Sequence, residues 1–161
     1  GWDRSHGVFY TGVPDMAVGP LYFSAYDAAC VLTTEEFPNA GKDLIHTNTT
    51  PLSPAEVETM VLMLMTAEPD TVRNAVTAHL KAGKSIRSLG DTIAIAAAEI
   101  ILRTTVPRKF TDGQHAFDYC NTANYWMRGT DNPYQARIIY LMANFVNDAA
   151  RSNNLTESVL E

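Results

Sequence analysis

Hydrophobic positions in this chain recur three and four residues apart, and nowhere do they alternate over a useful length, so the pattern is helical throughout. Residues 1–19 hold four glycines and a proline and read as irregular. A first helix opens at Pro20, a favourable first-turn residue, and runs through LYFSAYDAACVLTT to about Thr34. Residues 37–52, with Pro38, Gly41, Asn48 and Pro51, read as a long loop carrying His46, which is expected to be a lid or a mobile connector. Ser53-Pro54-Ala55-Glu56 is a capping box with proline at the first helical position. The helix it opens, to about Ala67, is apolar almost all round (Val57, Met60 to Met65), which predicts a central helix or one buried at a subunit contact.

Pro69 starts the next helix, which runs to Ala82 and stops at Gly83. Ser88 to Thr104 reads SLGDTIAIAAAEIILRT, with Ser88, Thr92, Glu99 and Arg103 on one narrow stripe of an otherwise apolar helix. Pro107 ends it, a fifth helix covers Asp112 to Gly129, and Asn132-Pro133 caps the last, which reaches about Ala150. About six helices with short connections predict a single all-α domain, either a bundle or an orthogonal helical array.

Composition narrows the partners. A chain of 161 residues, 46% hydrophobic and 19% charged, is globular and long enough for a core of its own. Its formal net charge of −6 argues against nucleic acid or anionic lipid as a partner. The densest positive patch, Lys81, Lys84 and Arg87, is too small to reverse that reading. The longest apolar run, Val61 to Met65, is far short of the roughly 20 residues of a membrane span, and the expected location is cytoplasmic. The chain opens on Gly1 without Met or a secretory apolar stretch, as a processed or trimmed chain would, and Leu160-Glu161 reads as a vector scar. Cys30 and Cys120 read as compact hydrophobes rather than a disulfide framework. Asn48-Thr-Thr and Asn154-Leu-Thr match the glycosylation triplet, a pattern common by chance.

Candidate chemistry gathers on the fifth helix. Trp126, Tyr119, Ala123, Ala116, Met127 and Cys120 share an arc of roughly 120°, a core face, with Asn121, Asn124 and Arg128 opposite. Between them lies a border stripe of His115, Asp118 and Thr122. His115 and Asp118 stand at i,i+3, where an acid–base pair or two metal ligands share one side, and where a first-turn carboxylate near the positive helix end also belongs. His79 falls in the middle of an apolar face with Arg73, Thr77 and Lys81 pointing away. Glu99 has Arg103 at i+4 and reads as half of an ion pair, whereas Asp27 has no basic residue within a turn. On the last helix Arg137, Tyr140, Asn144, Asn147, Asp148 and Arg151 read as one solvated stripe.

His46, His79 and His115 with Asp27, Glu99 and Asp118 are the inward polar candidates, and a helical core is a recognised place for a metal built from such groups. The ligand set singled out is His46, His115 and Asp118, for iron or manganese. No Glu-x-x-His, His-Glu-x-x-His, Cys-x-x-Cys, Gly-x-Ser-x-Gly or glycine-rich phosphate loop is present.

Three stretches between about Ala75 and Asn147, AVTAHLKAGKSIRSLGDTIAIAAAEIIL, GQHAFDYCNTANYW and NPYQARIIYLMANFVND, resemble helical proteins of the questin oxidase-like group. Some bacterial members of that group are associated with Rieske-type ferredoxin domains. The resemblance implies an all-α oxidoreductase acting on an organic substrate, such as an aromatic polyketide-like ring, and His115 matches the histidine that opens the corresponding helix. The chain has no Rieske Cys-x-His pair, so such a cluster would sit on another chain or segment.

Two functions are therefore expected. One is an oxidoreductase-like enzyme, or the helical part of one, whose small-molecule substrate meets His115 as acid–base or metal ligand, Asp118 as its orienting partner, His79, and an aromatic wall of Tyr119 and Trp126. The other is a non-catalytic helical subunit that docks a partner, or a copy of itself, through the Met60 to Met65 face.

Overall fold

The computed structural model describes residues 34–37, 44–129 and 135–155. The expectations for residues 1–33, including Asp27 and Cys30, and for the Asn132-Pro133 cap lie outside them. The described elements are α1 (Leu44–Thr47), α2 (Pro54–Thr66), α3 (Pro69–Lys81), α4 (Ile86–Arg103), a 3₁₀ turn (Pro107–Lys109), α5 (Phe110–Gly129) and α6 (Gln135–Ser152). Thr34 to Glu36 are also helical. The fold is all-α, and the described residues contain no strand, only an isolated bridge between Thr50 and Lys84.

Local signals set the helix ends. Ser53 Oγ accepts from Glu56 N at 3.4 Å while Glu56 Oε2 accepts from Ser53 N at 2.7 Å, the reciprocal capping box that the sequence spells. Gly83 sits at φ +77°, left-handed backbone that glycine adopts without steric cost, and turns α3 into α4. Ser85 caps α4 through Ser88 N.

Helix α6 is the axis of the bundle and packs against α2, α3, α4 and α5. Ile139, Met142 and Val146 lie wholly inside, joined by Leu64, Val76, Ile93 and Ile100 from its neighbours. The methionine-rich α2 is a core helix of this chain. Met60, Leu64 and Met65 are buried and Val61 and Met63 half-buried, so most of Met60 to Met65 is turned into the bundle, while Leu62 is 39% exposed.

Helices α4 and α5 run antiparallel, Gly90 lying by Asn124 and Met127 while Gly113 lies by Ile100 and Ile101. A methyl group on Gly90 would fall onto the Asn124 side-chain oxygen and within 2.8 Å of Met127 Cε; one on Gly113 would stand 3.1 Å from Ile100 Cγ2. Glycine is thus what lets the two backbones approach. Asn124 Nδ2 donates to Gly90 O at 3.2 Å, so Asn124, expected on the wet side, is buried in the α4–α5 contact. Gly90→Ala should therefore destabilise the fold by about 1–3 kcal/mol in denaturant unfolding, overpacking outweighing the helix-propensity gain. An unchanged or raised midpoint would show that α4 and α5 are not held this closely.

Candidate functional site

On α5 the structure keeps His115 and Asp118 on one side of the helix. His115 is half-buried, Asp118 is exposed, and Thr122 continues the stripe half-buried. The aromatic wall does not form around them. Tyr119 is a core residue whose ring meets Phe145 of α6 at 5.3 Å between centroids, inclined by 54°. Trp126, two turns further along the same stripe, is 45% exposed and lies edge-on to Tyr125 at 6.3 Å. The wheel assigned both to the core, but burial depends on a facing helix, and cover thins towards the α5–α6 connection. Cys120, between them, is an enclosed thiol whose pKa burial pushes far above its ordinary value, which leaves it no thiolate for nucleophilic or ligand chemistry.

The remaining candidates lie apart. His46 is exposed on α1. His79 is half-buried at the C-terminal end of α3 rather than in the middle of an apolar face, with Glu56 and Lys84 as its charged neighbours. Burial lowers its pKa, Glu56 opposes the shift, and Lys84 adds to it. Thr77, expected to point outward, is buried. Its Oγ1 donates to Arg73 O at 3.0 Å and lies 2.6 Å from Tyr140 Oη. Among the described residues no group of three or more His, Cys, Asp or Glu side chains is gathered closely enough to hold a metal ion, so His46, His115 and Asp118 form no such set. Glu99 pairs with Arg103 at 2.8 Å, as expected for i,i+4.

The last helix holds the polar groups that the sequence reading misplaced. Of the stripe taken as solvated, Tyr140 and Asn147 are buried, Asn147 completely. Asn147 Nδ2 donates to Leu64 O at 2.9 Å and to Ala67 O at 3.0 Å, taking two carbonyls from the C-terminal end of α2 that the helix itself leaves open. Its Oδ1 is enclosed and has no hydrogen-bond partner among the described residues. The available signal was the small residues interleaved with Tyr140 and Asn147 (Ala136, Ala143, Ala150), which mark a close helix contact rather than a water-facing side. Burial raises the Tyr140 phenol to about 12, so it stays a neutral hydroxyl beside Thr77.

The loop expected to be a lid or a mobile connector contains α1 and, where it is described, is hydrogen-bonded to the α3–α4 turn. Asn48 Nδ2 donates to Leu80 O at 2.7 Å and Leu52 N to Ser88 Oγ at 2.9 Å. Buried Asn48 therefore offers no amide for glycosylation in the folded chain, whereas Asn154 is exposed at φ +53°. Glu56 completes the corner, its carboxylate held at a pKa of about 2 chiefly by its hydrogen bond to Lys84 and by those to Ser53.

No family model, curated protein or solved structure matches this chain. No described helix is long and apolar enough to cross a membrane.

Two outcomes follow from these environments. Asn147→Ala, which strands two α2 carbonyls and leaves a void, should cost about 2–4 kcal/mol in thermal or denaturant unfolding. His79 is favoured neutral in the folded chain, so its contribution is complete above the ordinary histidine pKa and is lost as pH falls through the lowered one. Unfolding titrations from neutral pH to about pH 5 should show stability falling with acid, and His79→Gln should flatten that slope.

Proposed function

We propose that this chain is a non-catalytic helical subunit that associates with a second copy of itself through the outer face of α4. The carrying observation is a stripe at i, i+3, i+7: Ile95 is 48% exposed, Ala98 half-buried and Leu102 78% exposed, on a helix whose inner side is already packed. Val106 and Phe110, also exposed, extend it past the end of the helix. A narrow apolar seam of this spacing fits one partner helix rather than a small molecule. The seam is nearly symmetric about Ala98. Laid antiparallel on its own copy, Ile95 meets Leu102 of the other chain while Ala98 lets the backbones close in, which is the self-complementarity of a two-fold interface. It takes the place of the Met60 to Met65 face as the docking surface of this reading.

An oxidoreductase-like role for a small organic substrate keeps a single supporting observation, the His115–Asp118 pair on one side of α5. It adds to the resemblance between about Ala75 and Asn147. Iron or manganese bound through that pair would need further ligands beyond those the described residues gather.

Sedimentation at rising protein concentration should show a monomer–dimer equilibrium that Leu102→Asp abolishes while leaving the helical content intact. Added salt should strengthen association, because each copy carries a formal charge of −6 and screening relieves their repulsion. A wild-type chain that stays monomeric at millimolar concentration would overturn the subunit reading. Bound metal or turnover that His115→Ala abolishes would favour the enzyme.

A further inference from the structure

Four polar ties of the segment before α2 converge on one corner, the nine residues where α3 turns into α4. Asn48 Nδ2 donates to Leu80 O at 2.7 Å, Thr50 N to Gly83 O at 3.3 Å, Ser85 N to Thr50 O at 2.7 Å, and Leu52 N to Ser88 Oγ at 2.9 Å. A further tie comes from the first turn of α2, an ion pair from Lys84 Nζ to Glu56 at 2.7 Å, with Lys84 mostly shielded from water and Glu56 32% exposed. Only Leu44, Asn48 and Leu52 of residues 44–53 are buried, with half-buried Ile45 packed against the core, so the segment adds three apolar side chains to a core whose corner is otherwise made by Leu80, Ile86 and Leu89.

Glu56 couples these ties to helix α2. One carboxylate accepts both Ser53 N and Lys84 Nζ, so the same side chain starts the helix and fastens the strap. A capping box needs only the first of these bonds. The corner in turn offers the strap one left-handed glycine, Gly83, whose carbonyl is free of the α3 ladder and available to Thr50.

We propose that residues 44–56, which include the first turn of α2, form a strap, latched by Glu56 and Lys84, that opens over the α3–α4 corner as a unit of its own while the rest of the bundle stays folded. Few of the strap's apolar side chains are buried, α1 makes only a small contact with α6, and the four hydrogen bonds and the ion pair described above end on the same nine residues. These are the attributes of a segment whose opening free energy lies well below that of the whole domain. Lifting it uncovers Leu80, Ile86 and Leu89, an apolar corner that the closed state keeps from water. His79, Lys81 with its partner Glu36, Arg87, and Lys84 with its partner Glu56 are the charged or titratable groups described around that corner, so the latch is electrostatic and salt weakens it.

Hydrogen exchange of the full chain tests this, read amide by amide. In Lys84→Met the Thr50, Leu52 and Ser85 amides should exchange roughly five- to tenfold faster than in the wild type, with the α4, α5 and α6 core amides and the thermal midpoint little changed. Added salt should shift the same three amides in the wild type and have little effect on them in the variant. Acceleration spread equally over strap and core would overturn the proposal, since the strap would then open only with global unfolding. Unchanged strap amides in both Lys84→Met and Glu56→Gln would overturn the latch.

Discussion

Burial of α6 on nearly all sides is the constraint on which the other elements depend. Four helices pack around it, so any polar side chain on its inward faces has to find a protein partner. Tyr140 finds Thr77 on α3, and Asn147 finds the two terminal carbonyls of α2. These bonds are directional where apolar packing is not, so they set how far α6 can slide or rotate against α2 and α3. The enclosed Oδ1 of Asn147 is the cost of this arrangement, an acceptor removed from water without a counterpart among the described residues.

The other side of the bundle relies on a different device. Between α4 and α5 close approach is achieved by removing side chains, at Gly90 and Gly113, and one asparagine fills the remaining space with a bond to a backbone carbonyl. An ion pair between Arg128 and Asp91 at 2.8 Å closes the same end at the surface, where such a pair contributes little. Because α4 is satisfied inward by α2, α5 and α6, the apolar residues on its outer stripe are surplus to the fold. On α5, His115 and Asp118 stay on one side of the helix, but Tyr119 is committed to the core and Trp126 to the rim.

The α3–α4 corner shows how a segment whose only described helix is the short α1 becomes ordered. Long loops stay open when their backbone groups are left to water. Here Gly83 exposes a carbonyl, Ser88 an acceptor and Lys84 a cation within six residues, and the preceding segment uses all three. The same spot holds His79, whose pKa is lowered chiefly by burial.

Helix positions were legible in the sequence because their causes are local. Ser53 to Glu56, Pro69, Gly83 and Gly129 act within a turn of themselves, and the all-α class follows from periodicity alone. The i,i+4 pair of Glu99 with Arg103 is local in the same sense. Sequence could not say which polar residue lies inside. Asn147, Asn124, Thr77 and Tyr140 look like wet-side residues on a wheel, and Trp126 like a core one, because a wheel shows the angle around one axis and not what stands opposite. Only the packing of α6 among four helices, and of α4 against α5, decided those positions. Burial is a property of two surfaces, and a single chain read in order contains only one of them.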